Sequence, residues 1–588
     1  MSIVSLSNGS GSKINRTDLD ALAANLNFTL PDGQDADDYL TILRSFEAIM
    51  CNIERAPDYT PPLLQPTPST TTTPRTYRKP KPDSNPFNAW SRRCEIASSS
   101  PENNLLHDRT VAIKDNISIA GLPTTVGIPK SLFPADGDEG ELWISSVDAT
   151  VISRILNAGG IIKGTSTCES FCASPLSFTS ATGPVHNPRL HGYTAGGSSS
   201  GSAVLVAAHL LASTTTPTAA TEGMNRGDTV ELAIGSDQAG SVRIPASYNG
   251  IYGLKPTFGL VPYAGAASMS PMIDHIGPLA TNLEDIAALL EAMAGYDGLD
   301  PRMSPESPVR SQVKPYLHTL RENREAILEA TRPGDNFRVG LLTESFSVPG
   351  ISNDVKETVY EAAKTFFEAT GAAVTEISVP MHLEGPIIWT AATRPSMSSH
   401  LVQGNPSGHL SYLPPRARIQ WPLSQTAFET LTANNPAVVN IMFSELLAKR
   451  FGYCTPGLEA KAHRKAFELR AAYDKALEEV DILVTPCAPT VAMPHPPSAD
   501  LKEGEGPSIL DRLRVAVGLT SNACPFNITG HPGLSVPCGY SEPRRPDVSL
   551  PIGLQIVGRR WEDEQVMMAA ALFERGRELV EGGETQLA

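Results

Sequence analysis

Between residues 105 and 300 short apolar runs alternate with segments whose apolar residues recur every three or four positions, and this alternation decides the fold class. Thr110-Val111-Ala112-Ile113-Lys114 predicts a strand, Val147 to Ala158 a helix stopped by Gly159-Gly160, and Ile161-Ile162-Lys163 another strand. Ser199 to Leu211 reads as a helix, Glu231 to Ile234 as a strand, and Leu283 to Met293 as an amphipathic helix. Phe337 to Leu342, Asp354 to Thr370 and Ala373 to Val379 make a βαβ unit. A charged helix over 465–479 leads into Ile482-Leu483-Val484, and the tail carries a strand over Ile552 to Val557 and a helix near 562–579. Strands that read as unbroken apolar runs need both faces covered. The expected fold class is therefore α/β, a mixed β-sheet core covered by helices on both sides.

The N-terminal part is different. Residues 1–13 are rich in Ser and Gly and are expected to be disordered. Over 14–56 a helical arm is predicted, with Tyr39, Ile42, Leu43, Phe46, Ile49, Met50 and Ile53 at helical spacing, and this arm is a candidate homodimer contact. Nine prolines fall within residues 57–86, which read as an extended linker. The catalytic domain is expected over 87–588.

Charge narrows the function. With 47 Lys+Arg against 63 Asp+Glu, the formal charge is 47 − 63 = −16. A nucleic-acid partner is excluded, because binding polyphosphate needs clustered cations. No apolar run approaches the ~20 residues of a membrane span. The first residues carry neither a basic start nor an apolar core, so a cytoplasmic location is expected. The eight cysteines show no regular framework and are read as free thiols; the Asn-x-Ser/Thr sites at Asn8, Asn15, Asn27, Asn116 and Asn527 are read as chance matches.

Three motifs suggest chemistry that their context does not support. Cys168, Cys172, His186 and His191 have nearly zinc-finger spacing, but Pro188 lies between the histidines and no continuous helix can carry both. No metal and no cofactor is expected. Gly197-Ser198-Ser199-Ser200-Gly201 matches the nucleophile elbow G-x-S-x-G, with Asp274-His275 as partners, yet His191 to Gly196 before it reads as turn rather than strand. As a phosphate loop the same run lacks the Gly-Lys-Ser/Thr ending.

Three segments taken together read differently: Val111-Ala112-Ile113-Lys114-Asp115-Asn116, Ala195-Gly196-Gly197-Ser198-Ser199-Ser200-Gly201, and Ala233-Ile234-Gly235-Ser236-Asp237-Gln238-Ala239-Gly240-Ser241-Val242-Arg243-Ile244-Pro245. In order and content they resemble the amidase signature family of Ser–Ser–Lys hydrolases. Gly253 to Thr257, Asp481 to Pro486, Pro525 to Pro532 and Pro551 to Gly558 extend the likeness, which covers roughly 105–300 and 465–575. The run Phe258 to Pro278 looks like the branch that has a helical N-terminal arm.

The resemblance implies one large catalytic domain, with Ser241 as nucleophile, Ser198 as a relay held by a cis Gly197–Ser198 peptide, and Lys114 as base. A serine hydroxyl attacks only when a base takes its proton, and a lysine accepts a proton only in its neutral form, which burial favours. The backbone N–H groups of Gln238, Ala239, Gly240 and Ser241 would form the oxyanion hole. Ser199, Asp237 and Arg243 would brace the turn, the last two as a buried ion pair. Many family members carry glycine where this chain has Ala239, and alanine restricts the positive-φ region.

Ser198 and Ser241 stand 43 positions apart, more than is usual in the family. The surplus is the polar stretch near 213–229, expected to be a surface loop leaving the far end of a helix roughly 20 Å long at ~1.5 Å per residue. The acyl pocket would be walled by Cys168 to Ala173, Ala264 to Ile273 and 381–450, with Phe171, Met269, Trp389 and Met442 as candidates. No charged residue stands out there, so the expected substrate is a small neutral amide and the expected activity that of an amidase (EC 3.5.1.-, with 3.5.1.4 favoured). Acyl transfer or ester hydrolysis at the same site is the alternative, followed by a non-enzymatic binding protein on this fold.

Overall fold

The computed structural model describes residues 11–57, 59–68, 75–132, 142–213, 225–403, 421–450, 455, 457–496, 507–542 and 548–584. The chain divides into two compact units between Pro62 and Leu63. In the first, α1 (Arg16–Asn25) and α2 (Gln34–Arg55) meet through Leu19, Ala36 and Leu40. Asn15 starts α1: its side chain accepts the Thr17 and Asp18 N–H groups, and the Asp18 carboxylate accepts the Asn15 N–H, a capping box. Tyr39, Ile42, Phe46, Met50 and Ile53 leave an exposed apolar stripe on α2.

The second unit holds one sheet of eleven strands: β1 (Trp90–Ile96), β2 (Thr110–Lys114), β3 (Ile161–Ser166), β4 (Leu232–Asp237), β5 (Tyr252–Lys255), β6 (His275–Ala280), β7 (Arg338–Leu342), β8 (Ala373–Ile377), β9 (Ile482–Pro486), β10 (Gly533–Tyr540) and β11 (Pro551–Val557). Their spatial order is β1-β3-β2-β4-β6-β5-β10-β11-β9-β7-β8, parallel at β3-β2-β4 and β9-β7-β8 and antiparallel elsewhere. The helices that follow the arm are α3 (Thr150–Asn157), α4 (Ser200–Ser213), α5 (Arg243–Asn249), α6 (Leu283–Met293), α7 (Tyr316–Glu329), α8 (Asn353–Ala369), α9 (Gly385–Leu401), α10 (Gln425–Asn434), α11 (Pro436–Arg450), α12 (Leu458–Glu479), α13 (Ile509–Arg514), α14 (Cys524–Thr529) and α15 (Asp563–Glu584).

Successive strand residues point to opposite faces, so each central strand is packed twice. Ala112 and Ala233 pack with Ala203 to Ala208 of α4, while Val111, Ile113 and Ile234 pack with residues of α3 and α6. Helix α4 has no polar face to offer water, and Ser200 to Ala208 and Leu211 are all buried. The mixed, doubly covered sheet expected from the alternation is present. The strands less visible in the sequence are β5, β6 and β10, which contain Gly253, Gly277, Pro278, Pro537 and Gly539. Glycine and proline ordinarily mark turns, but at Gly277 a Cβ would lie 2.0 Å from the Leu254 carbonyl oxygen, so the close approach of neighbouring strands requires glycine.

The stretch 57–86, read as a linker, spans the boundary between the two units. From Leu63 onward the extended chain belongs to the second unit. Leu64 is fully buried against Val147 and Ala264, the Arg75 guanidinium pairs with Asp148 at 2.6 Å, and Arg78 exchanges backbone hydrogen bonds of 2.9 Å with Arg93. Of the 213–229 stretch, residues 214–224 lie outside the described residues, as do 1–10. Asp228 donates its N–H to the Ser84 carbonyl, accepts the Trp90 indole N–H at 2.8 Å and pairs with Arg93 at 3.2 Å. These contacts gather around 84–93. No described helix is long and apolar enough to cross a membrane. The seven described cysteines are free thiols; Cys454 lies outside the described residues.

Candidate active site

Strands β2 and β4 run parallel with Ile113 opposite Ile234, so their C-terminal ends lie side by side. In α/β sheets such ends are where sites are built. Lys114 closes β2 and is fully buried. Its Nζ reaches Ser198 Oγ at 2.8 Å, Ser236 Oγ at 2.9 Å and the Ser236 carbonyl at 3.1 Å. Asn116 donates to Ser236 Oγ at 3.1 Å, and Ser236 is a polar partner that sequence reasoning missed. Its signal was its place on β4, one residue before Asp237, at the level of the lysine.

The Gly197–Ser198 peptide is cis. The turn around it is fixed from both sides. The Glu169 N–H donates to the Ser198 carbonyl at 3.4 Å, and the Ser199 N–H donates to the Ser241 carbonyl at 3.2 Å. Ser199 Oγ donates to the Ser236 carbonyl at 3.2 Å, so the same residue joins α4 to both β4 and the Ser241 turn. The buried Glu169 carboxylate accepts Ser200 Oγ at 2.9 Å and the Thr179 N–H and hydroxyl at 2.7 and 2.6 Å. Burial pushes that carboxyl up to about 7, against the pull of these hydrogen bonds.

Ser241 sits in the turn between β4 and α5, 7 % exposed. Asp237 organises this turn. Its Oδ1 accepts the Gly240 N–H at 2.7 Å and Arg243 Nη2 at 2.9 Å; its Oδ2 accepts the Val242 N–H at 3.1 Å and Arg243 Nε at 3.0 Å. Arg243 also donates to the Ala523 carbonyl, Gln555 Oε1 and Asn527 Oδ1. Both members of the pair are fully buried. Burial pushes the Asp237 carboxyl up, but the Arg243 charge and hydrogen bonds, with Asn527, outweigh it and hold the carboxyl well below its usual range.

Within the expected oxyanion set the four N–H groups are not equivalent. The Gly240 N–H is already taken by Asp237, so Gly240 does not point a free donor at the cavity. Its glycine serves conformation instead, at φ +115°, where a Cβ would lie 2.7 Å from the Ala523 Cβ. Ala239 sits outside the positive-φ region, so alanine is accommodated there without the strain its sequence position suggested. The N–H groups of Gln238, Ala239 and Ser241 donate to no backbone carbonyl among the described residues. The Gln238 carbonyl is held from outside by the Trp389 indole N–H at 3.0 Å, and its side chain donates to Tyr263 OH at 2.8 Å.

Ser241, Gly197, Gln238 and Ala239 line one cavity of about 150 Å³. Three larger cavities, about 600, 560 and 360 Å³, have none of Lys114, Ser198 and Ser241 in their walls. Of the four residues expected to wall the acyl pocket, Met269 and Trp389 line the cavity. Phe171 and Met442 do not; both pack in the apolar cluster beneath it. Cys172, Met397 and Ile441 are wall residues, and so is Arg394, a charge in a wall expected to be uncharged. Hydrogen bonding from the Cys168 thiol lowers Cys172 to about 7, opposed by burial.

The remaining motifs resolve into packing. His186 stacks on His191 with centroids 3.8 Å apart and meets His495 edge-on, whereas Cys168 and Cys172 sit in the apolar cluster with Met269. Among the described residues no group of three His, Cys, Asp or Glu is placed to hold a metal. Asp274 accepts from Ser268 and Arg302, and His275 Nδ1 faces the Ile273 carbonyl, so neither serves Ser199.

A mixed α/β sheet with a buried lysine bonded to a cis-peptide serine at the mouth of a serine-bearing turn defines the class. The chain belongs to the amidase family: the Amidase family model matches residues 88–215 and 227–567. It is 31 % identical over 506 residues to an enantioselective amidase of Rhodococcus rhodochrous, covering 85 % of each chain. It is 31 % identical over 481 residues to a glutamyl-tRNA(Gln) amidotransferase subunit of Methanosarcina mazei, covering 79 % of this chain and 83 % of the relative. The crystal structure of the corresponding amidotransferase subunit from Thermotoga maritima superposes with a TM-score of 0.60 at 24 % identity, over 83 % of this chain and 87 % of that one.

Proposed function

We propose that the protein is an amidase that cleaves a carboxylic amide to acid and ammonia or amine through a seryl acyl-enzyme. The observation that carries this reading is the buried Lys114 Nζ at 2.8 Å from Ser198 Oγ, at the edge of the turn that presents Ser241. A neutral lysine amine has two hydrogens and one lone pair. The Ser236 carbonyl and hydroxyl take the hydrogens, and the lone pair is left for the Ser198 proton. Ser198 in turn takes the proton of Ser241 as its Oγ bonds to the substrate carbonyl carbon. The Gln238, Ala239 and Ser241 N–H groups receive the developing oxyanion. When the C–N bond breaks, the proton returns through Ser198 to the leaving nitrogen. Water then repeats the sequence on the ester and frees Ser241.

Hydrolysis of a panel of amides by wild type and Ser241→Ala, read by mass spectrometry with and without hydroxylamine, tests this. Acid product that disappears in the variant supports an amidase; hydroxamate in place of acid points to acyl transfer; turnover that survives in the variant removes Ser241 from the mechanism. The homodimer reading rests on the exposed stripe of α2. Sedimentation of the full chain against one lacking residues 1–56 tests it: a dimer lost on truncation supports the arm, and an unchanged oligomeric state refutes it.

A further inference from the structure

Helix α9 carries a charge into an otherwise neutral cavity. Arg394 lines the same 150 Å³ space as Ser241 and is the only charged side chain of that wall among the described residues. Its Nε is buried with no hydrogen-bond partner among the described residues. Burial lowers its basicity, and no carboxylate among the described residues opposes this. Three arginines with well-buried side chains are matched with acids, Arg75 with Asp148, Arg243 with Asp237, and Arg302 with Asp274 and Asp300, and Arg154 is met by backbone carbonyls. An arginine keeps its proton in a protein, and a half-buried cation with no acid matched to it is stabilised by an anion supplied from outside. The planar guanidinium fork fits a carboxylate with two parallel hydrogen bonds.

We propose that Arg394 binds a carboxylate on the acyl half of the substrate, so that the substrates are half-amides of short dicarboxylic acids. A cavity of this volume holds a molecule about the size of benzene. With the scissile carbonyl at Ser241 and the carboxylate at Arg394 in this one small space, the fitting substrates are short half-amides with ammonia or a small amine as leaving group. The neutral amide expected from the sequence is replaced by an anionic one. This inference rests on the reading of Ser241 as nucleophile, and the experiment separates the two.

Initial rates are measured on malonamate, succinamate and glutaramate, each beside its neutral diamide of equal size, with wild type, Arg394→Gln, Arg394→Lys and Ser241→Ala. The expected result is a half-amide cleaved with kcat/KM at least tenfold above its diamide. Arg394→Gln lowers that value by about 30-fold, mainly through KM, as loss of a hydrogen bond to a charged group does. Its effect on the diamide is at least tenfold smaller, and Arg394→Lys falls between. The corresponding dicarboxylate inhibits competitively, and the inhibition weakens in Arg394→Gln. The inference is overturned if no half-amide exceeds its diamide, or if Arg394→Gln lowers charged and neutral substrates alike. Turnover persisting in Ser241→Ala would instead overturn the nucleophile assignment, whatever Arg394→Gln does.

Discussion

Replacing Asp237 by Asn tests how the turn is held. The carboxylate accepts two backbone N–H groups and two guanidinium nitrogens in a fully buried site, and the Asn527 amide adds a further bond of 2.9 Å. Asparagine offers one acceptor oxygen and a donating amide. Whichever way it turns, a set of donors then faces another donor. Breaking a buried ion pair on one side costs about 3–5 kcal/mol, because the remaining charge is left uncompensated. Urea unfolding followed by tryptophan fluorescence should show a loss of that size. The turn whose Gln238, Ala239 and Ser241 line the cavity should loosen too, and on the proposed mechanism the loss of one oxyanion donor costs about 100-fold or more in kcat. The double variant Asp237→Asn/Arg243→Met separates the effects: removing the stranded cation should restore part of the stability but not the activity, since Gly240 and Val242 still lack their acceptor. The pH dependence has a definite sign. The Asp237 carboxyl is depressed in the folded state, so its stabilisation is present above its ordinary value of 3.8 and is lost as pH falls below it. The variant should therefore have a flatter acid limb. Asp237→Asn with wild-type stability and wild-type kcat would show that the carboxylate does not hold the turn.

Other perturbations follow from the same geometry. Glu169 is raised from 4.5 to about 7, so the folded state holds its proton more tightly than the unfolded chain; wild-type stability should fall as pH rises from 4.5 to 7, and Glu169→Gln should remove that slope in melting temperatures taken at pH 5 and 7.5. Gly240→Ala should lower both stability and the rate of active-site labelling, because the added Cβ meets Ala523 at positive φ, whereas Ala239→Gly should cost only about 1 kcal/mol or less; equal effects would contradict the assignment of conformational strain to position 240. Arg394→Met should leave the melting temperature unchanged or raise it, since the lost Nε–H has no partner among the described residues; a drop of several degrees would show that the arginine is held by the structure.

Much of the sheet could be read in the residues because β2, β4, β9 and β11 are apolar runs buried on both faces. Strands β6 and β10 were hidden, since Gly277, Pro278 and Pro537 look like turns until the neighbouring strand shows why they are needed. The Lys114, Ser198 and Ser241 segments were legible as local motifs, while their meeting depends on the parallel register of β2 and β4 that no single segment encodes. The pocket was least legible. Met269 and Trp389 reach the cavity and Phe171 and Met442 do not, a difference of side-chain direction that composition cannot express. Arg394 escaped notice because an arginine beside Pro395 reads as an ordinary polar residue; only the packing of α9 shows that its Nε has no partner among the described residues.

Everything proposed for the site depends on Ser241 being the nucleophile, activated through Ser198 by Lys114. A fluorophosphonate probe, which needs no knowledge of the substrate, puts that assignment to a direct test. Tryptic mass spectrometry of the labelled full chain should place the adduct on the Ser241 peptide, with no labelling in Ser241→Ala and strongly slowed labelling in Lys114→Ala. An adduct on Ser198 or Ser199, or labelling that survives in Ser241→Ala, would contradict it.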